Sequence, residues 1–331
     1  MNKKFYDVCL VGATGLVGQT FLKILEEVDF PIRQLKLLAS ARSAGKVITF
    51  KGKGLIVEEL TAEAFDGCQL AFFSAGGGIS KEYGQIARDK GLVVIDNSSA
   101  WREDMEIGLV VPEVNFADAS MNKIIANPNC STIQSVIPLA ALMPFGLKSV
   151  NYSTYQAVSG SGASGQADLV HTLAGEEPAF YPHNISQTCI PEIDVALENG
   201  YTKEEMKMAN ETRKILHLPD LPVSATCVRV PVMNGHAVSV RAQLDQAFEI
   251  ADIIAAFEAH EGIVVANDLA NHHYPTSVMA EGAATVFVGR IRRDLSAKNS
   301  LLFYCVADNI RKGAATNAVQ IAMKMVNMNL I

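Results

Sequence analysis

Short apolar runs recur along the first 130 positions, and each closes in small or polar residues. They lie at 8–11 (VCLV), 35–39 (LKLLA), 70–74 (LAFFS), 92–95 (LVVI) and 124–126 (IIA). Runs of this length read as buried strands. Between them the apolar spacing is helical. Residues 14–28 carry Leu16, Val17, Phe21, Leu22, Ile24 and Leu25 on one face, and residues 80–90 read as a second helix. Strands alternating with helices predict a parallel sheet covered on both faces.

After about residue 150 the pattern changes. Residues 150–158 (VNYSTYQAV) alternate as a half-buried strand does, and residues 223–244 read as two strands around Met233-Asn234-Gly235. The stretch 159–165 (SGSGASG) reads as a loop, either a flexible linker or a backbone cradle for a ligand. Residues 308–326 predict one long helix with Ile310, Ala314, Ala318, Ile321, Ala322 and Met325 inward. The predicted class is α/β: a Rossmann-like domain followed by an α+β domain with a mixed sheet.

A chain of 331 residues, 49% hydrophobic and 19% charged, is long enough for two domains with sizeable cores. The net charge of −7 argues against a general nucleic-acid binder. Lys3 and Lys4 precede apolar residues, as in a secretory leader, but Asp7 and three glycines interrupt that run. No uninterrupted apolar stretch approaches a membrane span. A cytoplasmic protein is expected. The six cysteines are scattered, with no C-x-x-C pair, so neither a zinc pattern nor a dense disulfide framework is present, and most are expected to be reduced core residues. The adjacent His272 and His273 are poorly arranged to chelate one metal, and no metal is expected.

Chemistry enters at the strand ends. Gly12, Gly15 and Gly18 form G-x-x-G-x-x-G between the first strand and the first helix. Glycines there let backbone approach a pyrophosphate, and the helix N-terminus supplies N–H groups and a favourable dipole. The next strand ends in Ser40-Ala41-Arg42-Ser43, with no acidic residue for a ribose 2′-OH. Serine and arginine suit a 2′-phosphate, which favours NADP over NAD; Arg42 also fits an ordinary solvated loop. The segments 74–78 (SAGGG), 96–102 (DNSSAWR) and 127–131 (NPNCS) follow strands, where ligands of such sheets bind.

Cys130 stands at the seam of a strand and a helix. Pro128 stops the strand, Asn129 reads as the N-cap, and Cys130 falls in the first helical turn, where the dipole favours a thiolate nucleophile. Arg229 and His236 flank the turn at 233–235. An arginine can clamp a carboxylate and a histidine can move a proton, yet by chemistry alone each is ambiguous, and a lone histidine is more often a packed or surface residue. Asn317 on the last helix is compatible with one cofactor contact.

The chain closely resembles aspartate-β-semialdehyde dehydrogenase over nearly its full length. The resemblance rests on eight motifs in order: GATGLVG at 12–18, SARSAGK at 40–46, FFSAGG at 72–77, VIDNSSAWR at 94–102, NPNCSTIQ at 127–134, EEMKMANETRKIL at 204–216, RVPVMNGHAVSV at 229–240 and RKGAATNAVQ at 311–320. It implies NADPH-dependent conversion of L-aspartyl 4-phosphate to L-aspartate 4-semialdehyde through a cysteine thioester. That reaction would serve biosynthesis of lysine, threonine, methionine and diaminopimelate, in a homodimer whose only other ligand is the small-molecule substrate. Cys130 matches the nucleophile, His236 the acid/base residue and Gln156 the group that positions substrate near the cysteine. Arg229 matches the carboxylate-binding arginine, Glu204 the ammonium position, and Arg102 with Lys207 the phosphate-binding pair. Glu205 and Glu211 remain alternatives to Glu204.

On the cofactor side Gly12, Thr14, Gly15, Leu16, Val17, Ser40, Arg42, Ser43, Ser74, Gly76, Ser159, Gly160 and Asn317 fall on matching positions. The implied domains are 1–129 for NADP, 130–310 for catalysis and dimerisation, and 311–331 as a helix packing back on the first. Ser161 departs from the alanine of many members, which leaves residues 161–165 unassigned. The nearest rival is an N-acetyl-glutamyl phosphate reductase, which would share the cysteine and NADP; a non-catalytic relative that keeps the fold is the rival of another class.

Overall fold

The computed structural model describes residues 4–331; the first three residues of the leader-like stretch lie outside it. The chain divides into two compact units. One runs to Pro128 and takes in Ala314–Ile331; the other is Asn129–Gly313.

The first unit is built on strands β1 (Tyr6–Val11), β2 (Ile32–Ala39), β3 (Val47–Phe50), β4 (Lys53–Glu59), β5 (Leu70–Phe73), β6 (Val93–Asp96), β7 (Gly108–Leu109) and β8 (Ile124–Ala126). Their order is β3-β4-β2-β1-β5-β6-β8-β7, with every pair parallel except β3 against β4. All six residues of β1 are buried, as a central strand covered on both faces requires. Helix α1 (Leu16–Glu27) buries Phe21, Leu22, Ile24 and Leu25, the face predicted from the sequence. Helix α2 (Gly77–Asp89) starts inside the glycine run rather than at Ser80, so only Ser74, Ala75 and Gly76 stay outside it. The C-terminal helix, Thr316–Asn327, lends Ala318, Val319, Ile321, Ala322 and Met325 to the core shared with α1 and β1. It starts later than predicted. Asp308 accepts the N–H groups of Ile310 and Arg311, and Arg311–Ala315 winds as a π turn before regular helix begins.

The second unit carries β9 (Leu147–Gln156), β10 (Val223–Arg229), β11 (His236–Leu244), β12 (Ile263–Val265), β13 (Val286–Arg293) and β14 (Ser300–Ala307) in the order β10-β9-β11-β14-β13-β12. Parallel β9–β10 and β12–β13 pairs sit beside antiparallel β9–β11, β11–β14 and β13–β14 pairs, the mixed sheet expected. The two strands read around Met233-Asn234-Gly235 are both present, but they are not neighbours, because β9 lies between them. Helix α3 (Cys130–Leu142) packs on β9, β11 and β14 and is buried throughout except at Cys130 and Ala140.

The stretch 159–165 is not a loop. A 3-10 turn at Val158–Ser161 runs into α4 (Gly162–Leu173). Burial of Gly165, Asp168, Leu169 and Thr172 outweighs the low helix propensity of glycine. Tyr181 Oη donates to Ser161 Oγ across 2.9 Å, which gives the unassigned serine a partner. Helices α5 (Lys203–Ile215), α6 (Ile250–Ala259) and α7 (Ser277–Ala280) complete this unit. His272 and His273 are exposed in a tight turn, with His272 at φ +57°. Among the described residues no helix is long and apolar enough to cross a membrane.

Candidate active site

In the second unit the nucleophile position follows from α3's N-cap. Asn129 is extended, and its Oδ1 accepts the N–H groups of Ser131 (2.9 Å) and Thr132 (3.2 Å), so helix begins at Cys130. Cys130 is partly exposed. Gly313 packs against it: a Cβ on Gly313 would lie 2.8 Å from Cys130 Cβ, closer than carbon atoms tolerate. All six cysteines are free. Cys9, Cys68, Cys227 and Cys305 are buried, and Cys189 is exposed. Burial pushes the Cys305 thiol up to about 12, and burial with the nearby Glu204 charge pushes Cys227 up as well.

The intervening β9 explains how Gln156 joins Arg229 and His236. Gln156 pairs with Arg229 on β10, and Tyr155 pairs with Ala237 on β11, so the strand ends carrying the three residues lie side by side. Gln156 Nε2 donates to Glu204 Oε1 (3.0 Å), and Thr154 Oγ1 donates to Gln156 Oε1 (2.9 Å). Asn129 Nδ2 donates to the same Glu204 oxygen at 2.9 Å, while Lys207 Nζ stands 3.2 Å from Oε2. Lys207 also pairs with Asp194 at 2.6 Å.

The three glutamates therefore separate. Glu205 completes a capping box with Thr202 and accepts the Cys227 N–H. Glu211 accepts the Asn129 N–H at 2.6 Å. Glu204 also meets Asn129, and it differs from Glu211 in accepting from Gln156 and facing Lys207. The Asn129 and Glu211 connections carry no sequence signal beyond the N-cap itself.

Arg229 is 5% exposed, and its Nη1 donates to Ala157 O at 2.7 Å. The N–H of the same Ala157 donates to His236 Nδ1 at 3.0 Å. His236 is fully buried, and its Nε2 has no hydrogen-bond partner among the described residues. Burial, and then the Arg229 charge, hold its pKa well below the ordinary histidine value. A Cβ on exposed Gly160 would sit 2.7 Å from Arg229 Nη1 and 3.0 Å from His236 Nε2, so both groups face the space that glycine leaves. Ser159 Oγ donates to Asn309 Oδ1 (3.0 Å), which also accepts the Gly235 N–H (2.9 Å).

In the first unit the glycine turn fits a pyrophosphate. Gly12 has φ +82°, and a Cβ there would lie 2.2 Å from Ser74 O. No side chain caps α1 at Gly15 or α2 at Gly76, so both N-termini keep backbone donors for an anion. Thr14, Gly15 and Gly76 are exposed, Leu16, Val17 and Ser74 half-buried. Ser40 and Arg42 are exposed around the 3-10 turn Ala41–Ser43, with Ser43 inward.

Arg102 Nη2 donates to Asn97 O at 2.9 Å. Asn127 Nδ2 donates to Asn97 Oδ1, and Asn317 Nδ2 to Asn127 Oδ1, both at 2.7 Å. Asn317 Nδ2 also donates to Val110 O at 2.9 Å. Asp96 is buried beneath this network with its pKa raised by burial, while Ser98 and Ser80 donate to it.

A parallel sheet with a glycine turn of the dinucleotide kind, and in the second unit a helix-terminal cysteine whose N-cap is tied through Glu204 to Gln156, fit a nicotinamide-dependent dehydrogenase of the semialdehyde class. Two family models match accordingly: "Semialdehyde dehydrogenase, NAD binding domain" over residues 7–122, and "Semialdehyde dehydrogenase, dimerisation domain" over 137–312. Aspartate-semialdehyde dehydrogenase of Aquifex aeolicus is 50% identical over 98% of this chain and 99% of its own, and that of Bacillus subtilis is 46% identical over 98% of each. The crystal structure of aspartate semialdehyde dehydrogenase II from Vibrio cholerae superposes with a TM-score of 0.94 at 43% identity, covering 98% of this chain and 99% of that one. A second structure of that enzyme, complexed with ASA, gives 0.93 at 42% identity, with the same coverage. The chain belongs to the aspartate-semialdehyde dehydrogenase family.

Proposed function

We propose that the protein converts L-aspartyl 4-phosphate and NADPH to L-aspartate 4-semialdehyde, phosphate and NADP, in the biosynthesis of lysine, threonine, methionine and diaminopimelate. The observation that carries this reading is Cys130 at the first turn of α3, its N-cap tied to Glu204 and through it to Gln156. The Cys130 sulfur forms a bond to the acyl carbon, and the carbon–oxygen bond to phosphate breaks with its electron pair on the leaving group. A thioester on Cys130 remains. NADPH, when bound, supplies the hydride that reduces the thioester, and the sulfur leaves with its electrons as the aldehyde forms.

Gln156 orients the substrate beside Cys130. Arg229 holds the substrate carboxylate, Glu204 its ammonium, and Lys207 with Arg102 the phosphate, whose charge needs cations. His236 serves the charge that moves at the carbonyl. Gly12, Thr14, Gly15, Leu16, Val17, Ser74 and Gly76 would hold the pyrophosphate side of NADP. Ser40, Arg42 and Ser43 would hold its 2′-phosphate, and Ser159, Gly160 and Asn317 the nicotinamide side. Residues 1–129 with the helix at 311–331 serve the cofactor, and residues 130–310 serve catalysis and pairing in a cytoplasmic homodimer.

Competition between substrates tests the reading. Purified protein is expected to oxidise L-aspartate 4-semialdehyde at least about 100-fold faster, in kcat/KM, than N-acetyl-glutamate semialdehyde. The reverse preference would assign it to the other acyl-phosphate reductase.

A further inference from the structure

Lys207 sits between two carboxylates. Its Nζ stands 2.6 Å from Asp194 Oδ2 and 3.2 Å from Glu204 Oε2. One ammonium between two carboxylates leaves a net negative charge, which opposes an incoming anion. One carboxylate must release the ammonium before Lys207 can hold a phosphate, and the two are not equally able to do so. Glu204 is pinned. Its side chain is 6% exposed, and its other oxygen accepts from Asn129 Nδ2 and Gln156 Nε2, two buried amides that would lose an acceptor if it moved. Asp194 is not pinned. Its side chain is 29% exposed, and its other oxygen accepts from the N–H of the adjoining Val195 at 2.8 Å, a contact within its own turn. Asp194 stands at φ +69°, a left-handed conformation that few non-glycine residues adopt, so the backbone itself is set to present the carboxylate to Lys207. Burial raises the Asp194 pKa, but the hydrogen bonds from Lys207 and Val195 outweigh burial and leave the value lowered, so the group is ionised at neutral pH.

We infer that Asp194 is a built-in competitor for the phosphate site: its carboxylate occupies the Lys207 ammonium while the site is empty, yields it to the phosphate of the substrate, and returns as phosphate departs. The inference rests on the function proposed above, through the assignment of Lys207 to phosphate. Between turnovers the pair keeps Lys207 charged and in place. Once phosphate has left the acyl carbon, the returning carboxylate competes for the same ammonium, which favours release of phosphate over its return to the thioester. Asp194 acts through Lys207 and touches no reacting atom, so it is a positioning residue that sets how tightly phosphate is held.

Titration calorimetry of the whole protein with inorganic phosphate, at saturating NADP, tests this. Asp194→Asn keeps an oxygen for the Val195 N–H and a side chain that tolerates positive φ, but loses the competing charge. It is expected to bind phosphate about fivefold more tightly than the parent. KM for phosphate in oxidation of the semialdehyde is expected to fall by the same factor, with KM for the semialdehyde unchanged. A merely structural role would weaken phosphate binding instead. Glu198→Gln removes the same charge from an exposed position in the following turn and is expected to leave the affinity unchanged. Unchanged or weaker binding by Asp194→Asn, or an equal gain in Glu198→Gln, would overturn the inference. Lys207→Met separates this from the reading beneath it, and is expected to weaken phosphate binding at least about tenfold. If Lys207→Met binds phosphate as the parent does, the assignment of Lys207 fails and takes the inference with it. If Lys207→Met binds weakly and Asp194→Asn shows no gain, the inference fails alone. Should Asp194→Asn not fold, Asp194→Gly suits the same φ and carries the same expectation.

Discussion

Asn129 Nδ2 donates to Glu204 Oε1 across 2.9 Å, and so the N-cap that starts the nucleophile's helix is tied to the first turn of α5. The same carboxylate oxygen holds Gln156. One buried glutamate thus aligns a helix terminus and a strand end. Glu204→Ala would leave two buried amide donors without this acceptor, at a cost of about 1–3 kcal/mol. Thermal unfolding is expected to show that loss, with kcat/KM at least about tenfold lower. Glu204→Gln, which keeps an acceptor oxygen but not the charge facing Lys207, is expected to recover stability more than activity. Equal recovery of both would remove Glu204 from the substrate's surroundings.

Gly313 has no room for a side chain. Gly313→Ala would bring a methyl carbon within 2.8 Å of Cys130 Cβ and 3.2 Å of its Cα. Either Cys130 or the π turn must move, at a cost of about 1–3 kcal/mol. A fall in kcat larger than the change in KM is expected, checked by steady-state kinetics beside circular dichroism. A variant with unchanged kcat would show that Cys130 tolerates displacement.

Arg42 is exposed at the end of β2, where the proposed 2′-phosphate contact lies. Arg42→Ala is expected to raise KM for NADPH about tenfold and to leave KM for NADH nearly unchanged, since only the former carries that phosphate. Parallel loss with both cofactors would show that Arg42 acts elsewhere.

The predicted parallel sheet, the helix face of α1 and the N-cap at Asn129 were legible because each depends on local periodicity or local hydrogen bonding. Misread elements depended on distant partners. Residues 159–165 look like a loop because glycine and serine disfavour helix, but the buried face of α4 overrides them. The segment 308–326 looks like one helix because its apolar spacing is continuous, but the Asp308 carboxylate stops it at its start. Residues 223–244 carry no sign that β9 inserts between the strands they form. Arg229, His236 and Gln156 were picked out in the sequence, the last from a resemblance. The Ala157 peptide that holds two of them leaves no trace in side-chain chemistry.

Asp168 shows how α4 is fixed. Its carboxylate accepts the N–H groups of Ala179 (2.6 Å), Phe180 (3.0 Å) and Tyr181 (3.1 Å). Burial raises its pKa, but the three backbone donors outweigh burial and leave the value lowered. With the folded value below the unfolded one, ionised Asp168 contributes stability that is full above the ordinary value of about 3.9. That stability is lost as pH falls through the folded value. Asp168→Asn is expected to lower stability in urea at neutral pH by about 1.5–3 kcal/mol. The gap between variant and parent should shrink below about pH 4. A gap that stays constant with pH would mean that the charge is not what holds the segment.

The most direct measurement is NADPH formation by purified, reduced protein given L-aspartate 4-semialdehyde and NADP, with and without phosphate, beside Cys130→Ala. Steady turnover that requires phosphate, and that falls by at least about 1000-fold in the variant, is the predicted result. Equal turnover without phosphate, or normal turnover by Cys130→Ala, would contradict an acyl-phosphate reaction carried by the thiol at the head of α3.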